Sequence, residues 1–159
     1  MFKLFARFAS RPRLEPETRA LQSLRSGDLE AAEAQFTALL EGAASAADRA
    51  FFLNKRGAAR ARLGLRETAE CDFRGALEAQ PAYAPALVNL GNLALEGGKF
   101  DDAIARYTAA IASDERYALA FFNLSVAFKR QGKIAESVRA LRTAQKLEGR
   151  ALSALRSKS

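Results

Sequence analysis

The sequence predicts an all-α protein built from stacked helical hairpins, and two observations lead to that fold class. The first is a hairpin pattern in residues 84–117, where small and large apolar residues fall on one face of each of two helices. The second is the recurrence of that pattern at a fixed spacing of 34 residues. Because one hairpin buries little apolar surface by itself, neighbouring copies are expected to stack on one another.

Residues 84–117 form the best-defined hairpin. Its first helix is predicted over about residues 85–96 and its second over about residues 101–113. Residues 97–99, Gly-Gly-Lys, provide the turn between them. Asp101 and Asp102 favour the start of the second helix, because negative charge is stabilised at a helix N-terminus.

Further copies precede and follow this hairpin. Residues 118–149 and residues 50–83 keep the same phase, and residues 14–49 hold a degenerate first copy. In that first copy, the first helix is predicted from about Pro16 to Arg25, and the loop over residues 41–48 is longer than the period allows. Two kinds of position recur, small residues that permit close helix crossing and large residues that fill the remaining space: Gly57, Gly91, Ser125, Ala69, Ala103, Ser137, Phe36, Phe73, Tyr107 and Leu141.

The order of the recurring residues carries a resemblance to a known family. Leu90 and Gly91, then Ala103, Tyr107 and Ala110 resemble the consensus of the tetratricopeptide repeat. The resemblance implies a right-handed α-solenoid of helix-turn-helix hairpins. It also implies a scaffold that holds another protein chain, with no enzymatic activity.

Composition excludes several classes of function. The chain has 159 residues, of which 49% are hydrophobic and 27% are charged, in the range of one soluble domain or an array of that size. It contains no histidine and a single cysteine, Cys71, which is expected to pack inertly. Histidine-based acid–base catalysis, most zinc sites and an intramolecular disulfide are therefore excluded. No catalytic residue, cofactor or metal site is predicted.

The net charge of +7 is concentrated at the two ends of the chain. Residues 1–13, MFKLFARFASRPR, carry four bases and no acid, and residues 142–159 carry five bases against one acid. The first segment is amphipathic if helical, and four interpretations stay open: a partly ordered tail, a transit peptide, a weak contact with an anionic membrane, and docking onto protein. Docking includes self-docking of residues 1–10 in this chain's own groove. Residues 150–159 are predicted to form a short capping helix or a tail after a break at Gly149.

One substitution pattern predicts a structural ion pair. Arg56 occupies the position of Leu90 and Leu124 in the other copies, and an unpaired charge there would be costly. Asp72 is present in the same copy, whereas Arg106 and Ala140 stand at its place in the others. This pairing of Arg-Gly with Asp-Phe resembles a variant of bacterial tetratricopeptide repeats, so an Arg56 to Asp72 pair is predicted across the hairpin.

A basic stretch surrounds Arg56. It contains Lys55, Arg60, Arg62 and Arg66, with no acid from residue 49 until Glu67. One interpretation is a patch for an acidic partner or nucleic acid. The preferred interpretation is a solvated face paired with acids of the first copy such as Glu30 and Glu33, because the middle of the chain is nearly neutral and no aromatic stacking platform accompanies the bases.

The resemblance places the binding surface on the inward face of the first helix of each hairpin. Carried over by position, the groove residues form an apolar surface with asparagines along it and basic residues at its edge. They are Phe51, Asn54, Arg62, Val88, Asn89, Asn92, Leu95, Leu119, Phe122, Asn123, Val126, Lys129 and Arg130. Such a surface fits an amphipathic helix or an apolar peptide with some acidic residues.

Some members of the family clamp the C-terminal carboxylates of heat-shock chaperones with Lys, Asn and Arg side chains. Only Asn89 fits that set here, and Leu119 stands where a clamp lysine would be. That activity is therefore not predicted.

These observations predict a non-enzymatic adaptor, cytoplasmic or peripheral at a membrane, that binds another protein through its groove. The alternative is a basic peripheral protein that binds nucleic acid or an anionic membrane through its charged ends. Steep salt dependence would distinguish the alternative, because electrostatic binding weakens as salt rises.

Overall fold

The computed structural model describes residues 15–156. Within that range all regular structure is α-helical, which confirms the predicted all-α fold class. The described residues form eight helices in four hairpins: α1 (Pro16–Ser26), α2 (Leu29–Glu41), α3 (Ala46–Arg62), α4 (Arg66–Ala79), α5 (Ala84–Glu96), α6 (Phe100–Ser113), α7 (Ala118–Arg130) and α8 (Ile134–Arg156).

The hairpins stack in chain order. We call α1, α3, α5 and α7 the A helices, and α2, α4, α6 and α8 the B helices. Each helix packs mainly on the helices before and after it in the chain, and α5 also contacts α3 and α7. Helices α3, α5 and α7 therefore form a continuous row. Apolar clusters lie between successive hairpins, and the cluster between the third and fourth contains Val88, Tyr107 and Leu124.

Glycine permits the close crossing within the second and third hairpins. A Cβ atom on Gly57 would lie 2.7 Å from Cε1 of Phe73, and one on Gly91 would lie 2.5 Å from Cε1 of Tyr107. Both distances are shorter than carbon atoms tolerate, so the aromatic ring of each B helix packs on bare backbone of its A helix. The recurring glycines of the sequence have this steric role.

The first copy departs from the others at its loop. The predicted loop over residues 41–48 is shorter in the structure, because α3 begins at Ala46 and extends over 17 residues, against 13 in α5. Ser45 makes that early start possible: its side chain accepts a hydrogen bond from the backbone N–H of Asp48 at 3.0 Å. The extra residues of the sequence therefore lengthen α3 by about one turn.

The predicted break at Gly149 is wrong. Helix α8 runs without interruption from Ile134 to Arg156, through Gly149. Gly149 does not adopt a positive φ, unlike the glycines that end turns, such as Gly98 and Gly132. A glycine inside a helix costs only about 1 kcal/mol, and the neighbours Glu148, Arg150 and Ala151 are good helix formers.

Cys71 also differs from its expected place, because it is exposed on α4 and does not pack in the core. The buried positions of α4 are Ala69, Asp72, Phe73 and Ala76, which leave residue 71 on the opposite side. No helix among the described residues combines the length and the apolar character needed to cross a membrane.

Candidate functional site

Hydrogen bonds between asparagines join neighbouring A helices along one face. The Nδ2 group of Asn89 donates to Oδ1 of Asn54 at 2.8 Å. One hairpin further on, Nδ2 of Asn123 donates to Oδ1 of Asn92 at 2.8 Å, and the same oxygen accepts from the Tyr107 hydroxyl at 2.8 Å. We call Asn54, Asn89, Asn92 and Asn123 the asparagine row. Because a carboxamide both donates and accepts, the row can offer further hydrogen bonds at this face.

A cavity of about 320 Å³ opens beside the asparagine row, between α3 and α5. Three of the predicted groove residues, Arg62, Asn89 and Asn92, meet there together with Glu96. Its lining consists of Ala58, Ala61, Arg62, Phe73, Asn89, Asn92, Leu93 and Glu96. The exposed side chains of Arg62 and Glu96 thus place one positive and one negative charge beside the apolar side chains that line the cavity.

Helix α7 carries the exposed apolar part of the predicted groove. Leu119 is 47% exposed and Phe122 is 46% exposed, and Val126 is half-buried beside them. Lys129 and Arg130 follow at the C-terminal end of the same helix and are exposed. Apolar side chains bordered by cations are therefore concentrated on the last A helix.

Two predicted groove residues do not offer surface to a partner. Asn54 is 3% exposed and Val88 is 1% exposed, a correction to the predicted set. Val88 in the third hairpin and Asn54 in the second occupy positions equivalent to Phe122. In both hairpins the A helix of the following hairpin covers the position. Phe122 is exposed because no further hairpin packs on α7 within residues 15–156. Leu95 is half-buried in the cluster that α7 completes.

Phe51 is half-buried because it packs against the apolar cluster between the first two hairpins, which includes Ala20, Phe36 and Phe52. Its ring packs edge-to-face on Phe52, with the ring centres 5.8 Å apart. The Lys55 ammonium lies 5.2 Å from the centre of the Phe51 ring, within range of a cation–π interaction. Burial, with a smaller contribution from the positive charge of Arg25, lowers the pKa of Lys55.

The bases of α3 and the start of α4 have intramolecular partners. Nε of Arg60 lies 2.8 Å from Oε1 of Glu33, as the preferred interpretation expected. Arg62 Nη1 donates to the backbone oxygen of Leu24 at 2.6 Å, at the end of α1. Arg66 donates to the backbone oxygen of Leu93 and lies 3.6 Å from the Glu96 carboxylate. These contacts fix much of the basic stretch within the stack.

Arg56 and Asp72 meet across the second hairpin. Arg56 Nη2 lies 2.6 Å from Oδ1 of Asp72, and Arg56 Nε donates to Oδ2 at 2.9 Å. Asp72 is buried and receives a third bond, from Nη1 of Arg60 at 3.0 Å. Comparison of the copies within the sequence did not identify Arg60 as a partner of Asp72. Arg60 is one of several basic residues on α3, and nothing in the sequence distinguishes it from the others.

Other regions offer less specific chemistry. A cavity of about 620 Å³ lies between the first two hairpins, lined mainly by apolar residues such as Leu39 and Phe52. Residues 15–156 contain no cluster of Cys, Asp and Glu side chains that could hold a metal ion. Residues 1–10, considered for self-docking, lie outside the described part of the chain, as does all of the segment 1–13. The row of A helices is therefore the candidate site.

Comparison with known proteins supports the repeat assignment. Residues 88–151 match a family model described as tetratricopeptide repeat. These residues include most of the third hairpin and most of the fourth. No curated protein sequence matches the chain significantly.

Several solved structures are similar to this chain. The crystal structure of MamA has a TM-score of 0.70 and 18% identity, and the match covers 87% of this chain and 79% of MamA. YrrB, described as a TPR protein with an unusual peptide-binding site, has a TM-score of 0.64 and 19% identity, over 90% of this chain and 72% of YrrB. The second TPR of Spaghetti (RPAP3), bound to the HSP90 peptide SRMEEVD, has a TM-score of 0.59 and 26% identity, over 62% of this chain and 92% of that chain.

Proposed function

Since this chain is a tetratricopeptide-repeat protein, we propose that it is a non-enzymatic scaffold of the cytoplasm that holds a segment of another protein against the row of A helices. The observation that carries the proposal is the asparagine row, which lies beside a 320 Å³ cavity and leads to exposed apolar residues on α7. Two similar structures, YrrB and RPAP3, are described with a peptide-binding site or a bound peptide, which supports a protein partner.

The middle of the face suits the backbone of a bound segment. Asn89 and Asn92 are half-buried, and the Oδ1 atom of Asn89 can accept from an N–H of an extended chain. The Oδ1 atom of Asn92 already accepts from Tyr107 and Asn123, so Asn92 can offer its Nδ2 group to a C=O. Arg62 and Glu96 border the same cavity with opposite charges, so that they can orient a partner that carries one charge of each sign. Hydrogen bonds to the bound backbone would give affinity with little dependence on the partner's sequence.

Helix α7 supplies the side-chain selectivity in this proposal. Leu119 and Phe122 are exposed and can receive one apolar side chain of the partner. Lys129 and Arg130 lie about two turns beyond Phe122 and about three beyond Leu119 on α7, and they would attract an acidic residue. The preferred segment therefore carries a large apolar residue followed or preceded by acidic ones.

The HSP90 peptide SRMEEVD provides a specificity test. It binds the RPAP3 domain. In this chain Leu119 stands at the place of a clamp lysine, and the Asn89 amide already donates to Asn54. We therefore expect no clamp on the C-terminal carboxylate, so that any affinity for SRMEEVD comes from its Met-Glu-Glu segment and does not change when that carboxylate is amidated.

The alternative function is binding of nucleic acid or an anionic membrane through the charged ends. One observation favours it: Arg139, Arg142, Lys146 and Arg150 are exposed on α8, with no salt bridge to an acid within the described range. Binding of this kind would weaken steeply as salt rises, whereas an apolar groove would retain its ligand.

The experiment is a selection of peptides by phage display on the full chain. We expect the selected peptides to contain an apolar anchor with acidic neighbours. Leu119→Asp and Asn89→Ala should each weaken their binding by about tenfold, since each removes a central contact. Affinities would be measured by fluorescence anisotropy with synthetic peptides at two salt concentrations.

Cys71→Asp is the matched control, because Cys71 is exposed on the B helix α4, on the side opposite the buried positions of that helix. Variants at Val88 are avoided, since a charge at that buried position would report on folding. Circular dichroism should show all variants to be helical. Equal binding by wild type, Leu119→Asp and Asn89→Ala would contradict the proposal.

A further inference from the structure

The C-terminal end of the stack exposes apolar side chains from both helices of the last hairpin. Phe122 on α7 is 46% exposed, and Ile134 and Val138 on α8 are 59% and 41% exposed. Ile134 and Val138 are separated by four residues, so they lie on one side of α8. We call the end face the surface of Phe122, Val126, Lys129, Ile134, Val138 and Arg142.

The preceding hairpin shows what such a surface accepts. Thirty-four residues earlier, the end-face positions are occupied by Val88, Asn92, Leu95, Phe100, Ile104 and Thr108. Val88 is buried, and Leu95 and Ile104 pack into the cluster that α7 completes. The equivalent surface of the third hairpin is thus the seat of the next A helix. In the fourth hairpin four of the six positions are again apolar, and no described helix covers them.

The helices that occupy this seat elsewhere share one contact pattern. Helix α5 packs on the second hairpin through Ala86, Leu90 and Leu93, at spacings of four and three residues. Helix α7 packs on the third hairpin through Ala120, Leu124 and Ala127, at the same spacings. A small residue, then leucine, then a small residue or leucine therefore defines a helix that fits the seat.

Charge distinguishes the end face from the seats inside the stack. Lys129 replaces Leu95, and Arg142 replaces Thr108, so two cations border the apolar centre. Arg139 and Lys146 add further exposed positive charge on α8, and none of these four bases forms a salt bridge with a described residue. Two copies of the chain would repel each other at this surface, whereas an acidic partner would be attracted.

We propose that the end face is a second docking site, which binds an acidic amphipathic helix of another protein in the place of a further A helix. The bound helix presents a small residue, a leucine and then a small residue or leucine to Phe122, Ile134 and Val138, and its flanking Asp or Glu residues contact Lys129 and Arg142. The end face shares Phe122, Val126 and Lys129 with the groove, whereas Ile134, Val138 and Arg142 on α8 belong to the end face alone.

The test uses the full chain and two labelled helical peptides of about 14 residues. Both carry Ala, Leu and Leu at the contact spacings of α5. One has glutamates at the flanking positions and the other has lysines. We expect the glutamate peptide to bind at least about tenfold more tightly by fluorescence anisotropy. Ile134→Asp combined with Val138→Asp should weaken its binding by about tenfold or more, and Arg142→Glu should reduce the preference for glutamate.

Leu119→Asp is the control, because it alters the groove and leaves the end face intact. The contrary result is that Leu119→Asp lowers the affinity for the glutamate peptide as much as the double substitution Ile134→Asp with Val138→Asp does. In that case the peptide binds in the groove, and the end-face proposal fails. The substituted positions of α8 are exposed, so thermal unfolding should be unchanged and should confirm folding.

Three other results would overturn the proposal. One is equal binding of both peptides. Another is a dimer in analytical ultracentrifugation that Ile134→Asp dissociates, which would assign the surface to a second copy. The third is binding of anionic vesicles or DNA that Arg142→Glu abolishes while the glutamate peptide fails to bind.

Discussion

At the scale of single residues, the most informative feature is the carboxylate of Asp72. It is 4% exposed and accepts hydrogen bonds from two guanidinium groups, those of Arg56 and Arg60. Arg60 is in turn paired with Glu33, and Arg56 also donates to the Thr37 hydroxyl at 3.3 Å. The network therefore links α2, α3 and α4, so that one charged cluster ties the first hairpin to the second.

The Arg56–Asp72 interaction is testable by a double-mutant cycle. Arg56→Leu restores the apolar residue of the other copies, and Asp72→Ala removes the carboxylate. We expect each single change to destabilise the fold by about 2 to 4 kcal/mol, since each leaves a buried charge with fewer partners. The double variant should lose at least about 1 kcal/mol less than the sum of the two.

Urea denaturation of the four proteins measures that coupling. Arg74→Ala is the matched control, because its pair with Glu70 is exposed and should contribute less than about 1 kcal/mol. Strict additivity of Arg56→Leu and Asp72→Ala would show that the contact contributes no pairwise stability.

At the scale of elements, α8 shows how local signals can mislead. Gly149 resembles a helix terminator in sequence, yet α8 continues through it to Arg156. Glycine ends a helix when its backbone adopts a positive φ, as Gly132 does at 79° before α8. The presence of a glycine does not reveal whether its φ will be positive, because that depends on whether the chain turns after it. The chain turns at Gly132 and continues as a helix at Gly149.

Two glycine substitutions should therefore have opposite effects. Gly149→Ala is expected to stabilise the protein by about 0.5 to 1 kcal/mol, since a Cβ there meets no atom within 4 Å and alanine favours helix. Gly132→Ala also meets open space, but its positive φ should make it destabilising by about 1 kcal/mol. Thermal melts of both variants measure the difference. A loss of stability in Gly149→Ala would show that residue 149 is not helical in solution.

Sequence reasoning predicted the helices well where periodicity was strong. The predicted helices over residues 85–96 and 101–113 each begin one residue late. The predicted first helix, Pro16 to Arg25, ends one residue early. Side-chain exposure was harder to predict: Val88 and Phe122 occupy equivalent positions, yet one is buried and the other exposed. Their exposure depends on whether a neighbouring hairpin covers them, which is a property of the stack.

At the scale of the whole molecule, all three tyrosines of the chain are held in the neutral form. Burial raises the pKa of Tyr107, with a smaller effect from Glu96, and its hydroxyl donates to Asn92. Burial also raises the pKa of Tyr83 and of Tyr117. Tyr83 and Tyr117 immediately precede α5 and α7, so these tyrosines lie at successive junctions of the stack.

This arrangement predicts alkaline sensitivity. A tyrosine whose pKa is higher in the folded state stabilises the fold below its unfolded pKa of 10.0, and that contribution is lost as the pH rises through the folded pKa. Lys55 acts in the opposite direction, because its lowered pKa adds stability as the pH rises toward 10.5. With three tyrosines against one lysine, we expect the melting temperature to fall above about pH 10.

Tyr107→Phe should flatten that fall, since it removes the titrating group with the greatest rise in pKa. Melting temperatures at about pH 8, 9, 10 and 11 would be compared for the two proteins. If both curves have the same slope, Tyr107 ionises without cost and its hydroxyl is not buried in solution. Tyr107→Phe also removes the bond to Asn92, which should lower stability at every pH by about 1 kcal/mol.

The uninterrupted course of α8 has a practical consequence. It has 23 residues and α6 has 14, so its last nine residues extend about 13 Å past the length of the preceding B helix. A helical fusion partner joined in register to that extension would be held at a fixed angle and distance. The protein could thereby serve as a rigid handle for imaging small cargo by electron microscopy.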